Sequence, residues 1–121
     1  MSTFRRFEDI LAWQKAREVT RHVYSITSTG IFSKDCGLRD QLRRASVSIM
    51  ANIAEGFGRR SDKEFANFLN IAHGSAAECQ SHIYVALDLE YVTASEFELL
   101  YVNFAECSKM ILGLSNHLRR S

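Results

Sequence analysis

The sequence predicts an all-α fold, an antiparallel up-down-up-down four-helix bundle built from one domain over residues 1–121. The chain has no proline, and its valine, isoleucine and threonine residues do not form the alternating runs that are typical of strands. Apolar residues recur instead at spacings of three and four, which is typical of helices that bury one face. With 121 residues, 46% of them hydrophobic, the chain has room for one core and for no second domain.

The first two helices are predicted from apolar spacing and from the small residues that follow it. The first helix spans about residues 7–27 and ends in the turn-forming segment 28–30, Ser-Thr-Gly. A loop over residues 31–37 leads to the second helix, which is predicted over about residues 38–57. Glycines at its end, such as Gly58, suit a helix C-terminus.

Capping boxes mark the start of the third and fourth helices. In the segments Ser61–Glu64 and Thr93–Glu96 a hydroxyl precedes a glutamate by three residues, so each side chain can bond the amide of the other residue. The third helix continues to about Glu90, and the fourth repeats its apolar residues in a 4-3-4-3-4 rhythm. Because the connections are short, neighbouring helices are expected to run antiparallel.

A polar stripe on the second helix is the most informative feature of the sequence. Its members are Arg44, Ser48, Asn52, Glu55 and Arg59. At helical spacing they share one face of the helix, and apolar residues border this face on both sides. Polar groups between two apolar borders usually satisfy one another across an interface. We therefore expect a buried or half-buried hydrogen-bond network in which Gly56 allows close backbone approach and the third helix contributes Ser75 or Glu78.

Two helices carry more apolar residues than a monomeric bundle needs. Beside their core stripes, the third helix has Phe68, Ile71, Val85 and Leu89, and the first has Leu11, Trp13, Thr20 and Tyr24. Apolar faces without a partner in the chain favour self-association. The alternative is that each thick stripe turns wholly into one well-packed core.

Charge is unevenly distributed along the chain, although the formal net charge is only +1. Residues 1–63 hold twelve Lys or Arg and seven Asp or Glu, whereas residues 64–121 hold three and seven, which gives +5 and −4. The first half is therefore the basic half, and any contact with phosphate is expected there.

Some of these basic residues have acidic neighbours on the second helix. Asp40 precedes Arg43 and Arg44 at helical spacing, and Glu55 precedes Arg59 by four residues, an orientation that favours ion pairs. The arginines without an obvious local partner are the candidate phosphate contacts: Arg5, Arg6, Arg17, Arg21, Arg39 and Arg60. The alternative for all of them is an ordinary solvated surface.

No pattern in the sequence predicts an enzyme or a metal site. Cys79 and Glu78 share a helix with His82, but a di-metal bundle needs Glu-x-x-His motifs on two helices. No glycine-rich phosphate loop follows a strand, and there is no nucleophile elbow. We therefore predict a non-catalytic protein with no metal, cofactor or small-molecule substrate.

Cysteine usage and hydropathy indicate the compartment. Three cysteines, an odd number without a Cys-x-x-Cys pair, are expected to be reduced thiols. The N-terminal residues lack the apolar stretch of a signal peptide, and the longest apolar run, Ile83 to Leu87, is too short to span a membrane. We therefore expect a cytoplasmic protein without a membrane partner.

Motifs along nearly the whole chain carry a resemblance to a known family. They are Phe7 to Ala16 (FEDILAWQKA), Gly37 to Ala45 (GLRDQLRRA), Ser48-Ile49, Asn52 to Gly56 (NIAEG), Phe68 to Ser75 (FLNIAHGS) and Glu78. In order and spacing they resemble the 23S ribosomal RNA intervening-sequence proteins, a family of four-helix bundles that includes the accessory variability determinant proteins of diversity-generating retroelements. The resemblance implies an antiparallel bundle that assembles as a ring-like homopentamer. In the retroelement branch it also implies binding to nucleic acid and to a reverse transcriptase, as a non-catalytic partner.

The chain departs from the family pattern at two points. Ser33 stands where family members often have proline, so the first loop is expected to differ in shape. The retroelement accessory proteins are markedly basic, whereas this chain is nearly neutral. Residues and resemblance together favour an oligomeric accessory protein that binds RNA or DNA. The alternative is a protein-interaction scaffold without nucleic-acid affinity, and salt-dependent binding distinguishes the two.

Overall fold

The computed structural model describes residues 4–120, and this part of the chain is all-helical. Its α-helices are α1 (Leu11–Thr27), α2 (Cys36–Phe57), α3 (Asp62–Asp88) and α4 (Ala94–Arg120). Single turns of 3-10 helix, Phe7–Asp9 and Phe32–Lys34, precede α1 and α2. The described residues contain no strand, so the all-α prediction is confirmed. Each helix packs against two others, α1 and α3 both against α2 and α4, which makes a four-helix bundle.

Contacts between α1 and α2 give the direction of the helices. The Arg43 side chain reaches Thr27, and the hydroxyl of Thr20 donates to the carbonyl oxygen of Ser46 at 3.2 Å. Residue numbers therefore rise along α2 as they fall along α1, as in an antiparallel pair. Thr20 itself was expected on the surplus apolar face of α1, and this expectation is wrong. It is only 8% exposed because its hydroxyl is satisfied by backbone carbonyls at the α1–α2 contact.

The starts of the first two helices differ from the sequence prediction. α1 begins at Leu11 rather than near residue 7, because the Asp9 carboxylate accepts the backbone N–H groups of Arg5 and Arg6 and closes a separate turn. α2 begins at Cys36, two residues before the predicted start, because the Asp35 side chain accepts the amide of Leu38 at 3.1 Å. In both places a short acidic side chain sets the boundary.

The predicted capping box is complete at the start of α4, whereas at α3 only the bond to the Ser61 hydroxyl is present. The Thr93 hydroxyl accepts the amide of Glu96 at 3.1 Å, and the Glu96 carboxylate accepts the amide of Thr93 at 2.8 Å. At α3 the Ser61 hydroxyl accepts the amide of Glu64 at 3.1 Å. α3 ends at Asp88, near the predicted end, where Glu90 adopts a left-handed conformation with φ of 60°.

One hydrogen bond joins the two loops at the end of the bundle where α2 begins. The Tyr91 hydroxyl donates to the Asp35 carboxylate at 2.9 Å, and the Tyr91 ring lies 5.2 Å from the ring of Phe32. The bonds from the Leu38 amide and from Tyr91 lower the pKa of Asp35, and the same Asp35 partner raises the pKa of Tyr91. The loop between α1 and α2 is thereby tied to the loop between α3 and α4.

Two of the three cysteines lie in the core. Cys79 and Cys107 are fully buried, and burial raises the pKa of the Cys107 thiol to about 12. Burial also raises the pKa of Cys79, so both side chains pack as neutral thiols. None of the helices in residues 4–120 is long and apolar enough to cross a membrane.

Candidate nucleic-acid interface

A surface groove of about 460 Å³ runs along the outer side of α1. Its lining includes Arg6, Arg17 and Arg21, three of the six arginines that the sequence singles out for phosphate contacts. Arg17 and Arg21 are one helical turn apart, and the chain before α1 brings Arg6 beside them. The groove also contains Glu8 and Glu18, so its positive charge is concentrated on the arginines and is not uniform.

Arg17 and Arg21 are available to an external anion. Both are exposed, and within residues 4–120 neither forms a salt bridge. The guanidinium carbon of Arg17 lies 5.8 Å from the centre of the Trp13 ring, a contact that orients the side chain without neutralising it. Arg6 is paired with Glu8 at 3.0 Å, so the prediction that Arg6 lacks a local partner is wrong, because a residue two positions away is not revealed by helical spacing. Its side chain nevertheless remains 64% exposed.

A second hollow of about 400 Å³ lies on the α1–α2 side and contains Tyr24, Asp40, Arg43 and Arg44. Arg43 is held in place, since its Nε donates to the Thr27 hydroxyl at 2.8 Å and its guanidinium stacks on the Tyr24 ring at 4.5 Å. Arg44 is exposed and forms no salt bridge in the described part of the chain. We call Arg6, Arg17, Arg21 and Arg44 the basic face.

The predicted pairing of Asp40 with Arg43 or Arg44 is wrong. Asp40 instead accepts from the Nε of Arg39 at 2.9 Å, and this bond lowers the pKa of Asp40. Arg39 also donates to the carbonyl oxygen of Ser33 at 2.7 Å, so its side chain is only 25% exposed. The prediction that Arg39 lacks a partner is therefore wrong as well. Its partners are an adjacent residue and a loop carbonyl, which helical spacing does not reveal.

The remaining candidate arginines lie outside both hollows. Arg5 precedes the first 3-10 turn and Arg60 lies in the turn between α2 and α3, and both are exposed. The structure therefore brings together three of the six candidates in one groove, places Arg44 of the polar stripe in a separate hollow, and bonds Arg39 to the loop before α2.

Part of the predicted polar network is present between α2 and α3. The hydroxyls of Ser48 and Ser75 are 3.0 Å apart, and the Asn52 amide donates to the backbone oxygen of Ser48 at 2.8 Å and to its hydroxyl at 3.0 Å. Ser75 is buried and the other two side chains are half-buried. The Ser48–Ser75 bond crosses the α2–α3 contact, and the two Asn52 bonds lie within α2.

The charged members of the predicted network do not join it. Glu55 accepts from Arg59 at 2.7 Å, which confirms that predicted pair, and Glu78 pairs with His82 at 3.1 Å. Glu55, Glu78 and Arg44 are all exposed, so the expectation of buried charges is wrong for the protomer. Glu55 and Glu78 each pair with a residue one turn away on the same helix and remain exposed to solvent. Exposed ion pairs of this kind are solvated by water and need no further hydrogen-bond partners.

Gly56 lies where α2 and α3 come closest. A Cβ atom at this position would be 2.7 Å from the Cβ of Phe68 and 2.9 Å from the ring of Phe65. No side chain larger than hydrogen fits without moving α3. The contact fixes how closely α2 packs on α3.

The outer side of α3 has the opposite character. Ile71, Val85 and Leu89 are exposed by 52%, 43% and 49%, and Phe68 is half-buried beside them. We call these four residues the apolar face. The sequence from residue 64 to residue 108 contains no Lys or Arg and seven Asp or Glu. This half of the molecule offers apolar contact and negative charge, which suit a protein surface and not a polyphosphate.

Within residues 4–120, no three His, Cys, Asp or Glu side chains lie close enough together to hold a metal ion. The candidate ligands Cys79 and His82 do not converge, since Cys79 is buried in the core and His82 is paired with Glu78 near the surface.

The described residues thus define a small four-helix-bundle protein with exposed arginines in a groove along α1. The chain belongs to the 23S rRNA-intervening sequence protein family, whose model matches residues 8–113. The resemblance that the sequence motifs carry is thereby confirmed. No curated protein matches the chain.

A solved structure shows a similar fold. It is the 1.70 Å crystal structure of a protein of unknown function from the S23 ribosomal protein family of Bacteroides thetaiotaomicron VPI-5482. The two chains superpose with a TM-score of 0.77 at 26% sequence identity, over 84% of this chain and 95% of that chain. Neither the family description nor this relative names an enzymatic activity.

Proposed function

We propose that the protein is a non-catalytic, oligomeric accessory protein that binds RNA through phosphate contacts made by the basic face. The observation that carries the proposal is the groove along α1, where Arg6, Arg17 and Arg21 converge and two of the three have no salt-bridge partner. Guanidinium groups that are exposed and unpaired bind phosphate oxygens without first giving up an internal partner. The family description, which refers to intervening sequences in 23S rRNA, supports RNA as the polyanion.

Self-association completes this proposal. The resemblance to the family implies a ring of five chains, and the apolar face of α3 is a surface that a second copy would cover. A cyclic assembly repeats each basic face once per protomer, so weak phosphate contacts add along one bound RNA. A nearly neutral chain can in this way bind a polyanion through a locally basic surface.

The test is RNA binding as a function of salt for the parent protein and two variants of equal charge. Arg17→Ala with Arg21→Ala removes two exposed arginines from the groove, whereas Lys109→Ala with Arg119→Ala removes two exposed cations from α4. We expect only the first variant to bind RNA more weakly and to flatten the salt slope, by about 0.7–0.9 for each phosphate that is no longer neutralised. Equal effects of the two variants would contradict the assignment to the basic face.

The exposed side chains of the apolar face favour a second candidate function, a scaffold for a protein partner such as a reverse transcriptase. This function replaces the first if the parent protein retains neither RNA nor DNA on a filter at low salt. Binding to the partner would then resist salt, because it rests on apolar contact.

A further inference from the structure

An apolar groove of about 230 Å³ lies between the start of α1 and the middle of α2. Its lining consists of apolar side chains alone: Phe7, Trp13, Val47, Met50, Ala51 and Ala54. The small side chains of Ala51 and Ala54 leave room beside the indole ring of Trp13. Phe7 holds that ring edge-to-face, with the ring centres 5.2 Å apart. The groove is therefore a shallow, preformed slot with an aromatic wall.

Two hollows that contain arginines adjoin this slot. Trp13 also lines the groove that contains Arg17 and Arg21, and Val47 also lines the hollow that contains Arg44. A ligand in the slot thus lies next to two hollows that contain exposed cationic side chains. In a nucleic acid, a planar base with an apolar face is joined on each side to a phosphate, and this is the same alternation of apolar and charged parts.

We propose that the slot binds an unpaired RNA base, stacked against Trp13, while the phosphates on either side contact Arg17 and Arg44. The inference rests on the proposed function and narrows its ligand from RNA in general to RNA with single-stranded segments. A paired base does not fit, because its faces are covered by its neighbours in the duplex. A second copy of the chain is the rival occupant, and the test distinguishes it.

Trp13 is the only tryptophan, so its fluorescence reports on the slot alone. The probes are a short oligouridylate and an RNA duplex of the same length, each titrated into the full-length protein. We expect oligouridylate to quench Trp13 and the duplex to bind without quenching it. A quench that follows protein concentration without RNA would assign the slot to a second copy and overturn the proposal.

Two variants separate stacking from folding. Trp13→Leu should weaken oligouridylate binding by about 5- to 150-fold, the effect of removing one base–aromatic stack, and Trp13→Phe should recover part of it. Because Trp13 also packs against the core, Ala51→Leu is the second variant. It fills the slot from an exposed position of α2 and should block oligouridylate while leaving duplex affinity unchanged.

The outcomes distinguish this inference from the function on which it rests. If oligouridylate and duplex bind equally well, Trp13 is not quenched and Ala51→Leu has no effect, the stacking site is wrong and RNA binding stands. If neither RNA is bound at low salt, both are wrong.

Discussion

The basic face and the apolar face lie on different helices of one small bundle. The first exposes charged side chains, and the second exposes apolar side chains. On the basic face, Arg17, Arg21 and Arg44 have charge without a salt bridge within residues 4–120. On α3, the apolar side chains of Ile71 and Val85 are exposed to solvent. The proposed function assigns these two faces to two kinds of contact, one with a polyanion and one with protein.

The arginines of the first two helices show that charge alone does not identify a binding surface. Arg39 and Arg43 bond to Ser33, Asp40 and Thr27, and thereby hold the loop between α1 and α2. They have the same guanidinium group as Arg17, but they would have to break internal hydrogen bonds to bind phosphate. Only the structure separates these two uses of arginine.

The largest expected effect is on assembly, through the apolar face. Ile71→Asp with Val85→Asp places two charges on a surface that we propose a second copy covers, so the oligomer should dissociate to single chains. Light scattering should report a mass of about five chains for the parent, the assembly that the family resemblance implies, and one chain for the variant. Ile31→Asp, at an exposed position of the loop between α1 and α2, is the control and should keep the parent mass.

This prediction also tests the separation of the two faces. The dissociated variant should still bind RNA, although with lower affinity, because each chain keeps its basic face and only the multivalency of the ring is removed. If the variant keeps the parent mass, the apolar face is not the interface between copies, and another surface forms it. A parent protein that is itself a single chain would contradict the oligomer altogether.

Gly56 offers a way to disturb the packing of α2 on α3. Gly56→Leu places a side chain where a Cβ already lies 2.7 Å from Phe68, and we expect a decrease of about 1–3 kcal/mol in the free energy of unfolding. Gly113→Ala on α4 is the matched control, since no atom lies within 4 Å of its Cβ, and it should stabilise the protein by about 0.5–1 kcal/mol. Urea denaturation measures both changes, and a neutral Gly56→Leu would mean that α2 and α3 lie farther apart.

The half-buried network between the two faces should matter more than the exposed charges beside it. Asn52→Ala removes two hydrogen bonds to Ser48 and should cost about 0.5–1.5 kcal/mol of stability. Glu55→Ala should change stability by less than about 0.5 kcal/mol, because that carboxylate is exposed and pairs only with Arg59. From the polar stripe in the sequence, Glu55→Ala and Arg44→Ala are expected to lower stability more than Arg39→Ala. The contacts in the structure predict the reverse, because Arg39 is the one of the three that is held by a loop carbonyl. Thermal denaturation of the alanine variants of Asn52, Glu55, Arg44 and Arg39 decides between the two orders of stability.

The smallest expected effect is on the hydrogen bond that ties the two loops. The pKa of Asp35 is lowered in the folded state, so its contribution to stability is present above the unfolded pKa and is lost as pH falls through the folded pKa. Asp35→Asn should therefore lower the melting temperature slightly at neutral pH, and by less as the pH falls through the range in which carboxylates titrate. A difference that does not vary with pH would mean that the charge of Asp35 is not what Tyr91 and Leu38 stabilise.

Much of the fold could be predicted from the sequence because its signals are local. The capping residues Ser61 and Thr93 bond to amides three residues away, and apolar spacing identifies the buried side of each helix. The errors also have local causes, since Asp9 and Asp35 set the starts of α1 and α2 by bonding to nearby backbone. The spacing of apolar residues along a helix does not reveal turns that such side-chain-to-backbone bonds form.

The candidate site could be predicted only in part, because its geometry depends on contacts between distant segments. The sequence identifies Arg6, Arg17 and Arg21 as cations without an obvious local partner, and the groove brings the three together. Arg17 and Arg21 form no salt bridge within residues 4–120, whereas Arg6 pairs with Glu8. The sequence pattern assigned Arg44 to a buried network, although only Ser48 and its neighbours are held across the α2–α3 contact. The slot beside Trp13 depends on small residues of α2 facing the chain before α1, which no spacing along one helix can show.

The most direct test of the separation between the two faces is to map which arginines RNA protects from chemical modification. Phenylglyoxal modifies exposed arginines of the parent protein, and mass spectrometry reads each position with and without bound RNA. We expect RNA to slow the modification of Arg17, Arg21 and Arg44 and to leave Arg119 and Arg120 of α4 unchanged. Protection of Arg119 and Arg120, with Arg17 and Arg21 reacting as in the free protein, would contradict the proposed basic face.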